Sequence, residues 1–289
     1  MDRMRRGLLV QILLSPALAF GQSDQSPSDV LMSPHQNLSD LMRSRNYAMG
    51  GAYRAIALGG EAITGSPAAL ALRRRYEFEL SGAFDSKTKF GYGSVAVIDS
   101  QTTDLAAGLS YHFASLGSGD LQRSANLLTL GFAAPLSESF FLGGGVKYLI
   151  ESGAIAANSV TVDASLLVRL SESLLVSLNG QNLIDVGNPD LRRYYALGLA
   201  YATGSLTAAF DTRADFNGPS VRFAYHGGLE YVVGGAFPLR AGYSYDNILS
   251  TQYVSGGAGF FSKTGGIDLA YRHELGGAGG RLLALALRF

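Results

Sequence analysis

Apolar side chains return at every second position in segment after segment of this chain, and a period of two belongs to a strand rather than a helix. About fourteen such segments, each roughly 9 to 12 residues long, can be read. They lie near 76–84, 89–98, 103–113, 124–134, 139–150, 159–169, 172–181, 192–202, 205–213, 220–232, 236–245, 252–262, 265–274 and 281–289. In the tenth, Val221, Phe223, Tyr225, Leu229 and Tyr231 alternate with Arg222, His226 and Glu230; in the thirteenth, Ile267, Leu269 and Tyr271 alternate with Asp268, Arg272 and Glu274. The last sets Leu283, Leu285, Leu287 and Phe289 against Ala284, Ala286 and Arg288. One face wholly apolar and the other bearing charges of both signs calls for an apolar medium outside and a polar space within.

In lipid every backbone N–H and C=O must be satisfied by protein, which leaves helices and closed barrels as spanning structures. Past the N-terminus no charge-free apolar stretch reaches the roughly 20 residues of a spanning helix. The expected fold is all-β: a transmembrane antiparallel up-and-down β-barrel of about 14 strands over 76–289. A sandwich or propeller is the other reading of many short strands, but a sandwich's outward faces should be polar rather than leucine, valine and aromatic. The connections alternate long and short, as in Asn182–Leu191 then Thr203-Gly204, and Ala214–Pro219 then Val233–Gly235. That rhythm fits longer loops outside and tight turns in the periplasm. The final strand, with Leu285, Leu287 and a terminal Phe289 on one face, resembles the C-terminal assembly signal of bacterial outer-membrane barrels. An even strand count returns Phe289 to the periplasm, beside the N-terminal segment.

Arg3, Arg5 and Arg6 precede an apolar run from Leu8 to Leu14, and Ala17-Leu18-Ala19 has the small-x-small pattern of a signal-peptidase site. Residues 1–19 thus read as the signal peptide of a Gram-negative protein, and 20–36 as a flexible, polar periplasmic tail. Charged residues make up only 16% of the chain, against roughly 25% in soluble domains. Without residues 1–19, which hold Asp2 and three arginines, the 23 basic and 23 acidic residues become 20 and 22. No basic excess points to nucleic acid. The absence of Cys excludes a lipobox and a disulfide framework.

Residues 37–75 carry the most specific motif. From Asn46 to Ala71 the chain is too rich in small residues for a strand, and Ser66-Pro67-Ala68-Ala69-Leu70 reads as an N-cap, a proline at the first helical position and one short turn. This stretch resembles the N-terminal signature of FadL-like transporters of hydrophobic compounds and their PorV/PorQ-type relatives. In these a Met-Gly-Gly-Ala stretch is followed by a small-residue and acidic stretch and then Asn-Pro-Ala-Gly-Leu. Met49, Gly50, Gly51 and Ala52 match, as do Pro67 and Ala68; Ser66 stands where the family usually has Asn, and Ala69 where it has Gly. The resemblance implies that 37–75 plugs a fourteen-stranded barrel. Arg54 and Glu61 are then candidates to pair with lumen charges, among which the alternation places Arg222, Glu230, Asp268 and Arg272. Further inward positions expected are Glu77, Glu79, Asp104, Lys147, Asp163, Arg169, Asp211, Arg213 and Arg240. Phe84, Phe90, Tyr92, Phe113, Phe140, Phe141, Tyr148, Tyr243 and Tyr245 are expected to point outward as interfacial girdles, and the glycines at 143–145 and 256–257 to mark sites where the wall could kink.

Enzyme signals are poor. Gly91-Tyr-Gly-Ser-Val-Ala96 fits a nucleotide fingerprint only nominally, because no strand-to-helix unit surrounds it. No Gly-x-Ser-x-Gly elbow occurs, and His112, His226 and His273 lack metal-ligand spacing. His226 with Glu230 is the one candidate acid/base pair. No catalytic residue, metal or cofactor is expected. The resemblance implies a passive channel for hydrophobic small molecules such as long-chain fatty acids, or a non-enzymatic accessory of a secretion or surface-attachment system. Expected partners are outer-membrane lipid, the barrel-assembly machinery, and a hydrophobic ligand or secretion-system proteins.

Overall fold

The computed structural model describes residue 38 and residues 41–87, 89–116, 122–154, 156–218, 220–276 and 279–289. The leader at 1–19 and the tail at 20–36 lie outside them. Fourteen strands follow in chain order: β1 (Tyr76–Asp85), β2 (Gly91–Asp99), β3 (Ala106–Leu116), β4 (Arg123–Pro135), β5 (Phe140–Gly153), β6 (Ala157–Arg169) and β7 (Leu174–Gln181). The second half comprises β8 (Tyr194–Ala202), β9 (Leu206–Asp215), β10 (Arg222–Val233), β11 (Phe237–Asp246), β12 (Thr251–Phe261), β13 (Gly266–Glu274) and β14 (Arg281–Arg288). Each pairs antiparallel with its neighbours in sequence, and β14 returns to β1 to close the barrel. Every expected strand is present, its ends shifted by a few residues. No described helix is long and apolar enough to cross a membrane.

The period-two pattern works as the alternation requires. On β14 Leu283, Leu285 and Phe289 are exposed while Leu282, Ala284, Ala286 and Arg288 are buried. On β13 Ile267, Leu269 and Tyr271 are exposed and Asp268, Ala270 and Arg272 are buried. Exposed aromatics gather toward both rims: Tyr76, Phe140, Tyr201, Tyr231, Phe237 and Phe289 at one end, and Phe84, Phe113, Tyr195, Phe216, Tyr225 and Tyr245 toward the other. Two such belts fit the two interfaces of a bilayer.

Three expected outward aromatics point inward instead. Phe90, Tyr92 and Phe141 are buried in the bore, where Tyr92 donates its hydroxyl proton to the Met42 carbonyl and Phe141 lies under the Arg169 guanidinium. Their parity was ambiguous because the bore is itself partly apolar. Asp104 is exposed, since β3 begins only at Ala106; it pairs with Arg74 in the turn 100–105. Nor does the wall open at its glycine runs. The ladders pass through Gly143-Gly144-Gly145 and Gly256-Gly257 without interruption.

The turns 100–105, 136–139, 170–173, 203–205, 234–236 and 262–265 lie at the end that holds Phe289. Those at the opposite end include the longest of the described ones, 182–193; toward that end β5 and β6 run further than their pattern suggested. If the outward face meets lipid, Leu269→Arg at mid-strand should cost about 2–4 kcal/mol of folding free energy in phospholipid vesicles. Gln252→Arg, at the rim of β12, should cost under about 1 kcal/mol; a denaturant titration of each variant compares the two.

Candidate functional site

The chain threads the barrel before building it. Leu38 and Leu41 pack at the end opposite Phe289, among Phe90, Leu116, Leu127, Leu149, Leu191 and Leu282. From there the chain descends through α1 (Ser44–Ala48), a 3-10 turn at Arg54–Ile56, α2 (Gly60–Gly65) and a second 3-10 turn at Pro67–Leu72. It leaves at the Phe289 end, where Arg75 and Ser100 exchange backbone and side-chain hydrogen bonds. Residues 41–72 are thus a lumenal plug. Leu38, the first described residue, sits at the mouth opposite Phe289.

Glycines on both surfaces make the fit. Gly50 and Gly51 take the left-handed conformation, with φ of 65° and 88°, which turns the chain after α1. Added carbon at Gly50 would lie 2.6 Å from the Tyr243 nitrogen, and on the wall added carbon at Gly242 would lie 2.1 Å from the Gly50 nitrogen. Gly143, in the glycine run expected to kink, receives Pro67 and Ala68 in the same way, with only 2.1 Å to the Ala68 nitrogen. Met49 and Ala52 are fully buried. Ser66 and Pro67 stand at the expected N-cap and first helical positions, but the Ser66 hydroxyl makes no capping bond. With Ser66 extended, the Ala68 N–H donates instead to Ser165 Oγ of β6 at 2.7 Å.

Charge fastens the plug. Arg45 bonds Glu61 at 3.3 Å and Glu230 at 3.0 Å; Glu61 bonds Arg288 at 3.2 Å; Arg288 faces Asp268 at 3.6 Å. Arg240 joins Asp268 to Glu230 and closes the ring. A branch runs from Arg288 to Glu79 at 3.1 Å and on to Arg43 at 2.9 Å. Cations and anions balance in this network, so no net charge is buried. Across the bore, Asp211 accepts from the backbone N–H groups of Tyr53 and Arg54, at 3.1 and 3.0 Å, and pairs with the Arg54 guanidinium at 3.1 Å.

Of the residues singled out in the sequence, Arg54, Glu61, Glu230 and Asp268 meet in these networks. Arg272 is packed over the rings of Tyr47 and Tyr253, and Arg222 is half-buried at the rim, donating to the Ile248 carbonyl. Arg43, Arg45 and Arg288 were not picked out. An Arg-x-Arg pair ahead of the small-residue motif, and a lone cation on the otherwise alanine face of β14, were the available signals. His226 and Glu230 form no acid/base pair: the His226 ring bonds the Gly50 carbonyl and Ser244, while Glu230 is held by Arg45 and Arg240. Among the described residues no group of His, Asp and Glu could hold a metal ion.

Over the opposite mouth the segment 182–193 folds inward. Asp190 binds Arg123 of β4 at 2.8 Å, the Asn188 amide donates to Glu151 at 2.6 Å, and Leu191 joins the apolar cluster around Leu38 and Leu41. The void left between this segment and the plug, bordered by Leu38, Leu41, Tyr53, Lys147, Gln181 and Tyr194, is about 20 Å³. That is room for about one water molecule.

No protein-family model matches the chain, and no curated protein matches it. Solved structures do. The CymD monoaromatic hydrocarbon channel superposes with a TM-score of 0.68 at 12% identity, over 86% of this chain and 96% of its own. The toluene transporter TbuX of Ralstonia pickettii gives 0.65 at 14% identity, over 86% and 97%. A FadL homologue of Pseudomonas aeruginosa gives 0.65 at 12% identity, over 86% and 98%. The chain has their fold.

Two substitutions test whether charge and glycine hold the plug. Glu61→Gln breaks a buried bridge between Arg45 and Arg288 and should cost about 3 kcal/mol in denaturant unfolding. Gly242→Val should leave the barrel folded by circular dichroism but raise single-molecule ion conductance in planar bilayers, because its side chain displaces Met49 and Gly50.

Proposed function

We propose that the chain is an outer-membrane channel through which small hydrophobic molecules pass without energy input, residues 1–19 directing its export. The apolar cup at the mouth opposite Phe289 carries this reading. Phe90, Leu116, Leu127, Leu149 and Leu191 surround Leu38 and Leu41 there, so the plug's own leucines occupy the kind of surface that would take an alkyl chain or a hydrocarbon ring. Support comes also from the fold, shared with proteins described as a monoaromatic hydrocarbon channel and toluene transporters. In this reading Phe289 and the short turns face the periplasm and the cup faces outward. A molecule entering the cup displaces Leu38 and Leu41 before meeting the ionic ring. The residues of the plug bind and yield; none performs a covalent step.

The tight filling of the bore favours a second reading. A void of about 20 Å³ and a fully paired ring of charges also suit a non-conducting accessory of a secretion or surface-attachment system. Uptake separates the two. Cells producing the protein should take up labelled long-chain fatty acid or toluene faster than cells lacking it, and Leu41→Asp should abolish the difference; equal uptake of both compounds with and without the protein supports the accessory reading.

A further inference from the structure

Closing the barrel leaves a seam where β14 meets β1, and the outer face around that seam is hollow. Alternation puts Gly82 of β1 and Gly256 and Ala258 of β12 on the outward side, in line with exposed neighbours such as Phe84 and Phe260. They lower the surface into an apolar groove of about 770 Å³, bordered by Phe84, Tyr271 and Leu285. The groove crosses β12, β13, β14 and β1. In one cross-strand row Leu285 and Leu269 stand between Gly82 and Ala258. The hollow therefore has two low sides with a leucine ridge between them, a shape that suits a lipid with several chains better than a single chain.

Above the groove, at the mouth opposite Phe289, the next outward row is basic. Arg281 of β14 is the register partner of His273 of β13, and both lie on the outward side, one row beyond Leu283 and Tyr271. The His273 ring stacks on that of Tyr271, with centroids 6.3 Å apart and planes at 14°. Across the seam the Ser86 N–H donates to the Arg281 carbonyl at 3.2 Å, so Lys87 follows one residue beyond the join, and Lys89 lies in the same turn. Arg281, Lys87 and Lys89 are exposed, and among the described residues none of them has an ion pair or a side-chain hydrogen bond. Carboxylates are withdrawn from this face. Asp85 and Glu274 are buried on the inward side, where they accept from the Lys87 and Gly280 N–H groups, each at 2.8 Å. The connections 86–90, 247–250 and 275–280 contain neither Asp nor Glu. Elsewhere charge is paired; here cations stand together just beyond an aromatic belt, the level at which lipid head groups lie.

Resting on the reading that this mouth faces outward, we propose that the β14–β1 seam carries a binding site for lipid A, the phosphorylated, many-chained anchor of lipopolysaccharide in the outer leaflet. A phosphate of its head meets Arg281 and Lys87, with Lys89 and the His273 ring at the edge, and its chains lie in the hollow on both sides of the ridge of Leu285 and Leu269. Arg281 presents a planar fork that takes two phosphate oxygens at once, whereas the lysines act as point charges. An uncharged lipid leaves the cations unpaired, and a single-chain lipid leaves one side of the hollow empty. Arg281 belongs to the last strand and Lys87 follows the first, so a phosphate held by both spans the closure from outside, as the Arg288–Glu79 pair spans it from within.

Native mass spectrometry of the full-length protein in dodecyl maltoside, titrated with purified lipids, tests the site. Diphosphoryl lipid A should form a saturable one-to-one complex, and Arg281→Ser with Lys87→Ser should weaken it at least about tenfold. Gly256→Leu with Ala258→Leu fills one side of the hollow, keeps every cation and should weaken the complex by a similar factor; added carbon at Gly256 comes no nearer than 3.5 Å to its surroundings, so the fold tolerates it. Dephosphorylated lipid A and phosphatidylglycerol should each bind at least about tenfold more weakly than the diphosphoryl form. No saturable complex with the wild-type protein overturns the site. Unchanged binding in the serine variant, or equal binding of dephosphorylated lipid A, overturns the phosphate contact; unchanged binding in the leucine variant overturns the groove; phosphatidylglycerol binding as tightly overturns lipid A as the occupant. Because the chain has no Cys, Lys87→Cys on whole cells checks the orientation separately. A maleimide on a polymer too large to cross the outer membrane should label it; labelling of opened cells alone refutes the outward-facing reading, and the titration in detergent still decides the site.

Discussion

A backbone that lies in an apolar medium has to find all its hydrogen-bond partners within the protein, and nearly everything else in this molecule follows from that demand. A sheet meets it only by closing on itself, so β14 returns to β1 and no edge is left. Closure at fourteen strands encloses more space than wall side chains alone can fill. The plug fills it. Its small residues let backbone lie directly against wall backbone, at Gly50 against Gly242 and at Ala68 against Gly143.

Filling the bore with chain creates a second demand, because wall charges that would otherwise be hydrated are buried by the plug. The structure answers with pairing rather than removal. Each carboxylate in the ring around Arg45, Glu61, Glu230 and Arg288 meets at least one guanidinium. Such a ring adds little or no net stability over an apolar core of equal volume, but it penalises any other placement of the plug severely. It works as a register mark. The apolar cup near Leu38 and the clusters around Ile63 and Leu70 supply the burial.

The fold was legible because alternation depends only on which face a residue occupies, and lipid outside with charge inside gave that face an unmistakable signature, as at Leu269 and Asp268. Strand ends were less so. Phe90, Tyr92 and Phe141 were misplaced because an aromatic is equally at home in a lipid girdle and against a partly apolar plug. The Met49–Ala52 and Ser66–Ala68 motifs located the plug, yet not its contacts: pairing of Arg43, Arg45 and Arg288 with residues up to 227 positions away in sequence is set by barrel register, which no local pattern encodes. The glycine runs drew attention to β5 and β12, where they receive the plug.

The route of the chain through its own ring has a consequence for assembly. A cord that enters one mouth at Leu38, leaves the other at Arg75 and then becomes the hoop itself can reach this arrangement in two ways. Either its leading end is drawn through a finished hoop, against a bore with almost no slack, or the hoop is wrapped about it. Arg288, on the last stave, touches both Glu79 on the first stave and Glu61 on the cord. Joining the ends of the hoop and gripping what lies inside are thus the same event, which makes wrapping the order that this geometry favours.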